Sequence, residues 1–276
     1  MWTYKNYDTP SIFRGAREYK EIPEALELAQ ATFNEEGLYV AITEFAQQWF
    51  RYTQRSARVL DLCSATGLSA LRVSQVIPVS SVTLVEIDNG ALIKALDHFD
   101  KSLTLYSFCA DAVSFRDSRP FDLILMNSAY HHIEDSKKTA FLRNAAHLLA
   151  EGGAILMGEH FLPSYRSDEE FRQSVVSFYK RLIDELENRG EPAEAINVIR
   201  RSGLYCWEGI YEYKVSWERF SRDLNSAELY LLKSNVVWSY PDRRGAPSED
   251  TDKIGSFGLW LIPEQVRTRH GRTNDT

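Results

Sequence analysis

Residues 59–67 read VLDLCSATG, an apolar run followed by small residues and one glycine. The run has the length of a short buried strand, and a helix is predicted directly after it, at 68–77. Small residues allow the chain to turn sharply between the two elements. Such a turn presents backbone N–H groups to a ligand at the helix N-terminus. We therefore expect a strand–turn–helix unit with a ligand-binding turn.

The same alternation continues along the chain. Further strands are predicted at 81–86, 103–108, 121–127 and 154–159, with helices at about 90–98 and 135–150. Because several of these strands are continuous apolar runs, the pattern indicates an α/β fold with helices on both faces of a parallel sheet. Two last strands, at 230–240 and 256–262, are predicted to pair as an antiparallel hairpin.

Polar residues stand at the ends of these strands. Glu86 ends the second strand, Asp111 follows the third, and Asn127 ends the fourth. A carboxylate at the end of the second strand can accept hydrogen bonds from both hydroxyls of a ribose. A Rossmann dehydrogenase that uses a nicotinamide or flavin dinucleotide is disfavoured, because the first turn lacks the G-x-G-x-x-G pattern.

This ordered series resembles the motifs of the class I S-adenosylmethionine (SAM)-dependent methyltransferases over about residues 55–161. The resemblance implies a Rossmann-like, seven-stranded, mostly parallel sheet with a C-terminal antiparallel hairpin. It implies SAM as the cofactor, with Asp111 near the adenine amino group. The cofactor-binding residues that it implies are Asp61, Ser64, Ala65, Gly67, Glu86, Asp111 and Asn127.

The stretch after the fourth strand holds the candidates for chemistry. Reactants sit at this edge of an open α/β sheet, and histidine serves as a general base near neutral pH. Adjacent histidines on a loop point in different directions, so we expect one of the two to face the pocket and leave open which. The candidate catalytic residues are Asn127, Tyr130, His131, His132 and Tyr165, and Tyr4 and Tyr7 are further pocket candidates.

Five segments are expected in the domain organisation. They are an N-terminal helical cover (1–54), a SAM-binding core (55–163), an inserted helical lid (164–215), the end of the core (216–264) and a flexible tail (265–276). The cover is predicted as helices 22–35 and 37–54 with Gly37 between them, and residues 166–202 as an amphipathic helical stretch. A lid would expel water from the reactants.

Three functions are compatible with this pattern. The leading hypothesis is methyl transfer to a small-molecule O or N acceptor by in-line displacement. The alternative is a SAM-consuming cyclase, similar to azetidine-2-carboxylate synthases, in which the SAM amine attacks its own γ-carbon and expels methylthioadenosine. A non-catalytic SAM-binding module is the third, which the polar strand ends disfavour.

The composition of the chain limits the classes of binding partner that we expect. The net charge of −7 and the pI of about 5.5 make nucleic acid a poor partner. Three cysteines form no disulfide framework, and no apolar run is long enough for a membrane helix. The spacing of His131, His132 and Asp135 matches no standard zinc pattern, so we expect no metal. We expect a cytoplasmic enzyme with a small-molecule substrate, and the oligomeric state stays open.

Overall fold

The computed structural model describes residues 8–20, 24–239 and 253–265. The strands are β1 (Ala57–Leu62), β2 (Val79–Glu86), β3 (Leu105–Cys109), β4 (Phe121–Asn127), β5 (Leu149–Phe161), β6 (Leu229–Ser239) and β7 (Gly255–Pro263). The helices are α1 (Ala25–Gln30), α2 (Phe33–Thr53), α3 (Leu68–Val76), α4 (Asn89–His98), α5 (Lys138–Leu148), α6 (Asp168–Asn188), α7 (Ala193–Glu208) and α8 (Trp217–Ser226). Short 3-10 helices cover Ser11–Phe13 and Tyr130–His132.

The seven strands form one sheet in the order β3-β2-β1-β4-β5-β7-β6. Strands β1 to β5 pair in parallel, and β7 pairs antiparallel with both β5 and β6. The order reverses between β1 and β4, which is the point where ligands bind in open α/β sheets. The Rossmann-like class I methyltransferase fold predicted from the motif order is confirmed.

Buried apolar side chains cover both faces of the sheet. One core packs α2, α3 and α4 against the strands and includes Ile42, Phe45 and Val73. The other packs α5 and α8 on the opposite face and includes Phe141 and Phe220. Strands buried on both faces have no reason to alternate polar and apolar residues, which explains the continuous apolar runs.

Helices α6 and α7 form a third apolar cluster with Leu162 and the first 3-10 helix. The predicted helical stretch 166–202 is two helices, because Gly190 adopts a φ of +71° and Pro192 precedes α7. Leu182 and Ile199 pack within the cluster. None of the described helices has both the length and the apolar character needed to cross a membrane.

The expected break at Gly37 is wrong, since Gly37 lies inside α2. The chain breaks at Thr32, whose hydroxyl donates to the Ala29 carbonyl at 2.6 Å and whose carbonyl accepts from Glu36 N. A Cβ at residue 37 would come within 2.3 Å of Val237 Cγ1, so glycine here permits close packing of α2 on β6. The glycine at position 37 is thus explained by the close contact between α2 and β6, and not by the end of a helix.

Candidate active site

The carboxyl ends of the parallel strands open into a cavity of about 780 Å³. Its wall includes Ser64 after β1, Glu86 at the end of β2, Asp111 after β3 and Asn127 at the end of β4. Side chains of α1, α6 and α7 and of residues 211–214 complete it. The volume lies within the range of about 300–1,000 Å³ typical of small-molecule sites.

The turn after β1 is built from residues in left-handed backbone conformations. Cys63 has a φ of +57°, Ala65 of +45° and Gly67 of +72°. This conformation costs a residue other than glycine roughly 1–2 kcal/mol, so two strained positions are held in one short turn. Cys63, Ser64 and Ala65 line the cavity and are small, which leaves room for a ligand against the backbone.

Asp61 and Gly67 stand behind this turn and do not line the cavity. The Asp61 carboxylate is buried and accepts a hydrogen bond from Ala70 N at 3.2 Å. Burial raises the pKa of this carboxyl well above its ordinary value. Gly67 is the N-cap residue of α3. The structure therefore gives both residues a place in supporting the turn.

Glu86 and Asp111 face the cavity on the β2–β3 side. Glu86 accepts hydrogen bonds from Ala65 N at 2.8 Å, Ile87 N at 2.9 Å and Asp88 N at 3.0 Å. A carboxylate has about four acceptor positions, so capacity remains for a hydroxyl of a ligand. Asp111 Oδ1 accepts from Val113 N at 2.9 Å. Both carboxylates are thus fixed by backbone groups nearby in space.

The structure does not bring Tyr130 or Tyr165 to the cavity. The Tyr130 hydroxyl donates to Asp223 Oδ2 at 2.6 Å, because the 3-10 turn directs this ring into the core against Phe220. Tyr165 packs its ring against Phe171 at the start of α6. Tyr4 and Tyr7 lie outside the described residues.

Both neighbouring histidines line the cavity, contrary to the expectation that only one would. They lie in a single turn of 3-10 helix with ring centroids 4.3 Å apart. His131 Nδ1 lies 2.5 Å from Glu159 Oε1, whose carboxylate also accepts from the backbone N of His131 and of His160. His132 Nδ1 lies 3.0 Å from the Tyr211 carbonyl oxygen and must donate to it. Each ring therefore keeps its Nε2 as a proton acceptor.

His131 is buried between groups of opposite charge. Its Nε2 lies 3.6 Å from Glu212 Oε2, and Lys214 Nζ lies 2.6 Å from the same oxygen. Burial, with the charge of Lys214, lowers the pKa of His131 well below its ordinary value of 6.5. Although burial opposes ionisation, the charge of Lys214 above all lowers the pKa of Glu212 to about 2. His131 is thus neutral at pH 7 beside an ionised carboxylate.

A second histidine–carboxylate pair lies on the same wall. His160 Nε2 is 2.7 Å from Glu35 Oε1, and Ser128 Oγ donates to Glu35 Oε2 at 2.9 Å. Burial raises the pKa of Glu35, but His160 and Ser128 outweigh it, so the net pKa is lowered. Glu35 is ionised on the cavity wall.

Sequence reasoning gave no role to four charged residues here: Glu35, Glu159, Glu212 and Lys214. Glu159 carries a signal, because it stands near the end of β5 at the ligand-binding edge. Glu35 is 125 residues from its partner His160, and no local pattern indicates such a pairing. Glu212 and Lys214 lie in the segment between α7 and α8, where hydrophobic periodicity does not predict the direction of a side chain.

The ligand atoms of His131, His132 and Glu212 lie within 4.8 Å of one another, close enough to hold a metal ion. Lys214 already places an ammonium group against Glu212, and the two cations would compete for this carboxylate. The expectation of no metal stays a prediction.

Known proteins share this domain. A family model described as "Methyltransferase domain" matches residues 59–153. An uncharacterized methyltransferase of Mycobacterium tuberculosis and one of Mycobacterium bovis are each 32% identical over 109 residues, covering 40% of this chain and 53% of theirs. The chain thus spans about half the length of the curated relatives it matches.

Solved structures share the fold over most of the chain. The plantazolicin methyltransferase BpumL, in complex with a triazolic desmethylPZN analog and S-adenosylhomocysteine (SAH), has a TM-score of 0.58 at 13% identity and covers 92% of this chain and 95% of its own. A SAM-dependent methyltransferase from Clostridium acetobutylicum has a TM-score of 0.52 at 12% identity, with 82% and 92% covered. The mitomycin 7-O-methyltransferase MmcR has a TM-score of 0.51 at 15% identity, with 92% and 61% covered.

Residues 59–153 match a methyltransferase domain and lie on a class I sheet. The predicted resemblance to the SAM-dependent methyltransferases is confirmed over these residues, and SAM is the cofactor of those enzymes.

Proposed function

We propose that this chain binds SAM on the β2–β3 side of the cavity and transfers its methyl group to a small-molecule O or N acceptor held on the β4–β5 side. One observation carries the proposal: a single cavity joins the ribose-type carboxylate Glu86 to the buried His131–Glu159 pair. A carboxylate at a strand end and a buried histidine–carboxylate pair each occur in many proteins. In one cavity, the two together provide both a cofactor site and a base.

The β1 turn fits SAM in size and chemistry. Ser64 and Ala65 leave the backbone open, and Glu86 has acceptor capacity for a ribose hydroxyl. Asp111, further along the same wall, supports a contact with the adenine amino group. Asn127 lines the same cavity from the end of β4. When bound, SAM supplies an activated methyl group on its sulfonium.

His131 is proposed as the general base. Glu159 orients the ring through Nδ1, so Nε2 takes the proton of the acceptor hydroxyl or amine. Bound SAM would supply the methyl group to the deprotonated acceptor, leaving SAH and the methylated acceptor. Glu212, 3.6 Å from Nε2, then stabilises the protonated ring. His132 keeps a free Nε2 and is the alternative base.

We further propose that residues 164–215 act as a lid and that the helices within 1–54 cover the same cavity. Phe178 and Leu182 on α6, Val198 on α7 and Gln30 on α1 all line it. Enclosure by these elements would exclude water and orient the reactants. The small-molecule class of acceptor is supported by what the plantazolicin and mitomycin methyltransferases are named for.

The test is turnover of SAM by the pure protein, alone and with panels of small phenols and amines. We expect SAH only when an acceptor is present, in the presence or absence of a chelator. His131→Gln should lower kcat about 10²- to 10⁴-fold without changing the affinity for SAH. The acid limb of the wild-type kcat/KM profile should lie below pH 6.5, because burial lowers the pKa of His131.

The matched control is His147→Gln, an exposed histidine on α5 that should behave as wild type. A His131→Gln variant with full activity would show that the base lies elsewhere. If no acceptor in the panel yields SAH and SAM alone is also stable, the methyl-transfer proposal fails for these acceptor classes.

The cyclase is the second candidate, and the Glu35–His160 pair beside Asn127 favours it. A base at the aminobutyrate end of SAM could remove the proton of the amine before it attacks the γ-carbon. Methylthioadenosine and a cyclic amino acid formed from SAM alone would establish this reaction and overturn methyl transfer.

A further inference from the structure

Glu35 is an ionised carboxylate on the cavity wall whose ion-pair partner is a histidine, His160. Its side chain is 14% exposed and lies in the first turn of α2. Its oxygens accept from His160 Nε2 at 2.7 Å, Ser128 Oγ at 2.9 Å and Asn34 Nδ2 at 3.3 Å. In the described part of the chain, no lysine or arginine forms an ion pair with it.

Burying a charge without a counter-charge is costly, so such groups are usually paired or bind a cation. Glu212, on the same side, is paired with the lysine Lys214. Glu159 also pairs with a histidine, His131, but Glu159 does not line the cavity. Lys214 is committed to Glu212 at 2.6 Å and acts on Glu35 only from a distance. Glu35 therefore has capacity for a cation supplied by the ligand.

The position of Glu35 in the cavity indicates which of the two cationic groups of SAM it binds. With the ribose at Glu86, the adenosine lies toward β2 and β3, and the aminobutyrate arm must extend past the β1 turn toward β4. Ser128, which donates to Glu35, directly follows Asn127 at the end of β4. SAM carries a sulfonium and an ammonium, and only the ammonium has N–H donors for a carboxylate.

We propose that Glu35 binds the α-ammonium group of the aminobutyrate arm of SAM and SAH, with His160 as its positioning residue. This rests on the proposed SAM site. His160 Nδ1 lies 2.7 Å from Ser256 Oγ, so the imidazole is fixed at both nitrogens and holds the carboxylate at one place on the wall. The first turn of α2 thereby binds the amino-acid end of SAM or SAH, while the core sheet binds the nucleoside.

The experiment compares two ligands by calorimetry: SAH, which has the amino-acid arm, and methylthioadenosine, which lacks it. Glu35→Gln keeps the shape and hydrogen-bonding capacity of the side chain and removes its charge. We expect the affinity for SAH to fall roughly 10- to 100-fold, as for loss of a hydrogen bond between charged groups, with no change for methylthioadenosine. Glu35→Asp, which retains the charge, should keep part of the preference for SAH.

The neighbouring residue supplies the control. Glu36 pairs with Arg72 on the outer surface, with its Oε2 2.7 Å from Nη2. Glu36→Gln should bind both nucleosides as the wild type does. Retained binding of methylthioadenosine by Glu35→Gln shows that the variant is folded.

Three results would overturn the proposal. Unchanged SAH affinity in Glu35→Gln would place the ammonium elsewhere. An equal loss for both nucleosides would mean that Glu35 acts through the fold. A wild type that binds neither nucleoside would overturn the SAM site as well, whereas a wild type that binds SAH leaves that site standing whatever Glu35 does.

Discussion

The two sides of the cavity are constructed differently. On the β2–β3 side, Glu86 and Asp111 are held by backbone N–H groups, most of them one or two residues away. On the β4–β5 side, buried polar and charged side chains hold one another, as in Glu212–Lys214 and His160–Glu35. The first arrangement can lose a side chain with little effect on the fold, whereas the second makes stability and function depend on the same charges.

Removing a buried partner should have the largest effect. Lys214→Ala leaves Glu212 ionised and unpaired next to His131, and breaking a buried pair in this way costs about 3–5 kcal/mol. We expect the free energy of unfolding in denaturant to fall by that amount. Lys137→Ala is the control, because this lysine lines the cavity but its side chain is half exposed; a similar loss there would remove the contrast between the two sides.

Glu86→Ala should affect binding and spare stability. Loss of a hydrogen bond from a ribose hydroxyl to a carboxylate should weaken SAH binding roughly 10- to 100-fold. The unfolding free energy should change far less than in Lys214→Ala. Titration calorimetry and denaturant unfolding on the same samples provide the check. A strongly destabilised Glu86→Ala protein would mean that the β2–β3 side is also structural.

Asp111→Asn should have the smallest effect. Asparagine keeps an acceptor oxygen for the adenine amino group and removes only the charge of the carboxylate, so SAH affinity should fall only severalfold. Asp117→Asn, at an acidic residue that pairs with Arg58 away from the cavity, is the comparison. If Asp111→Asn weakens SAH binding as much as Glu86→Ala, the assignment of ribose and adenine along this wall is wrong.

The difference between the β2–β3 side and the β4–β5 side of the cavity also explains which features could be predicted from the sequence. The strand order and the cavity positions of Ser64, Glu86, Asp111 and Asn127 follow from local signals, since each residue stands at a strand end and parallel strands share one ligand-binding edge. The positions of Tyr130 and Tyr165 could not be predicted, because the direction of a side chain in a short turn depends on the core beneath it. Glu35, Glu212 and Lys214 have roles only through partners that folding brings together.

The place of β7 has a consequence for the order of folding. It is the last of the described strands in sequence, yet it lies between β5 and β6, and its Ser256 fixes His160. Contacts between residues so distant in sequence form slowly, because a long loop must close first. During synthesis the methyltransferase domain at 59–153 can emerge and begin to fold well before Ser256 exists. His160 can therefore be held at both ring nitrogens only after Ser256 has been synthesised. The proposed nucleoside wall at Glu86 and Asp111 can form before the proposed amino-acid wall at Glu35.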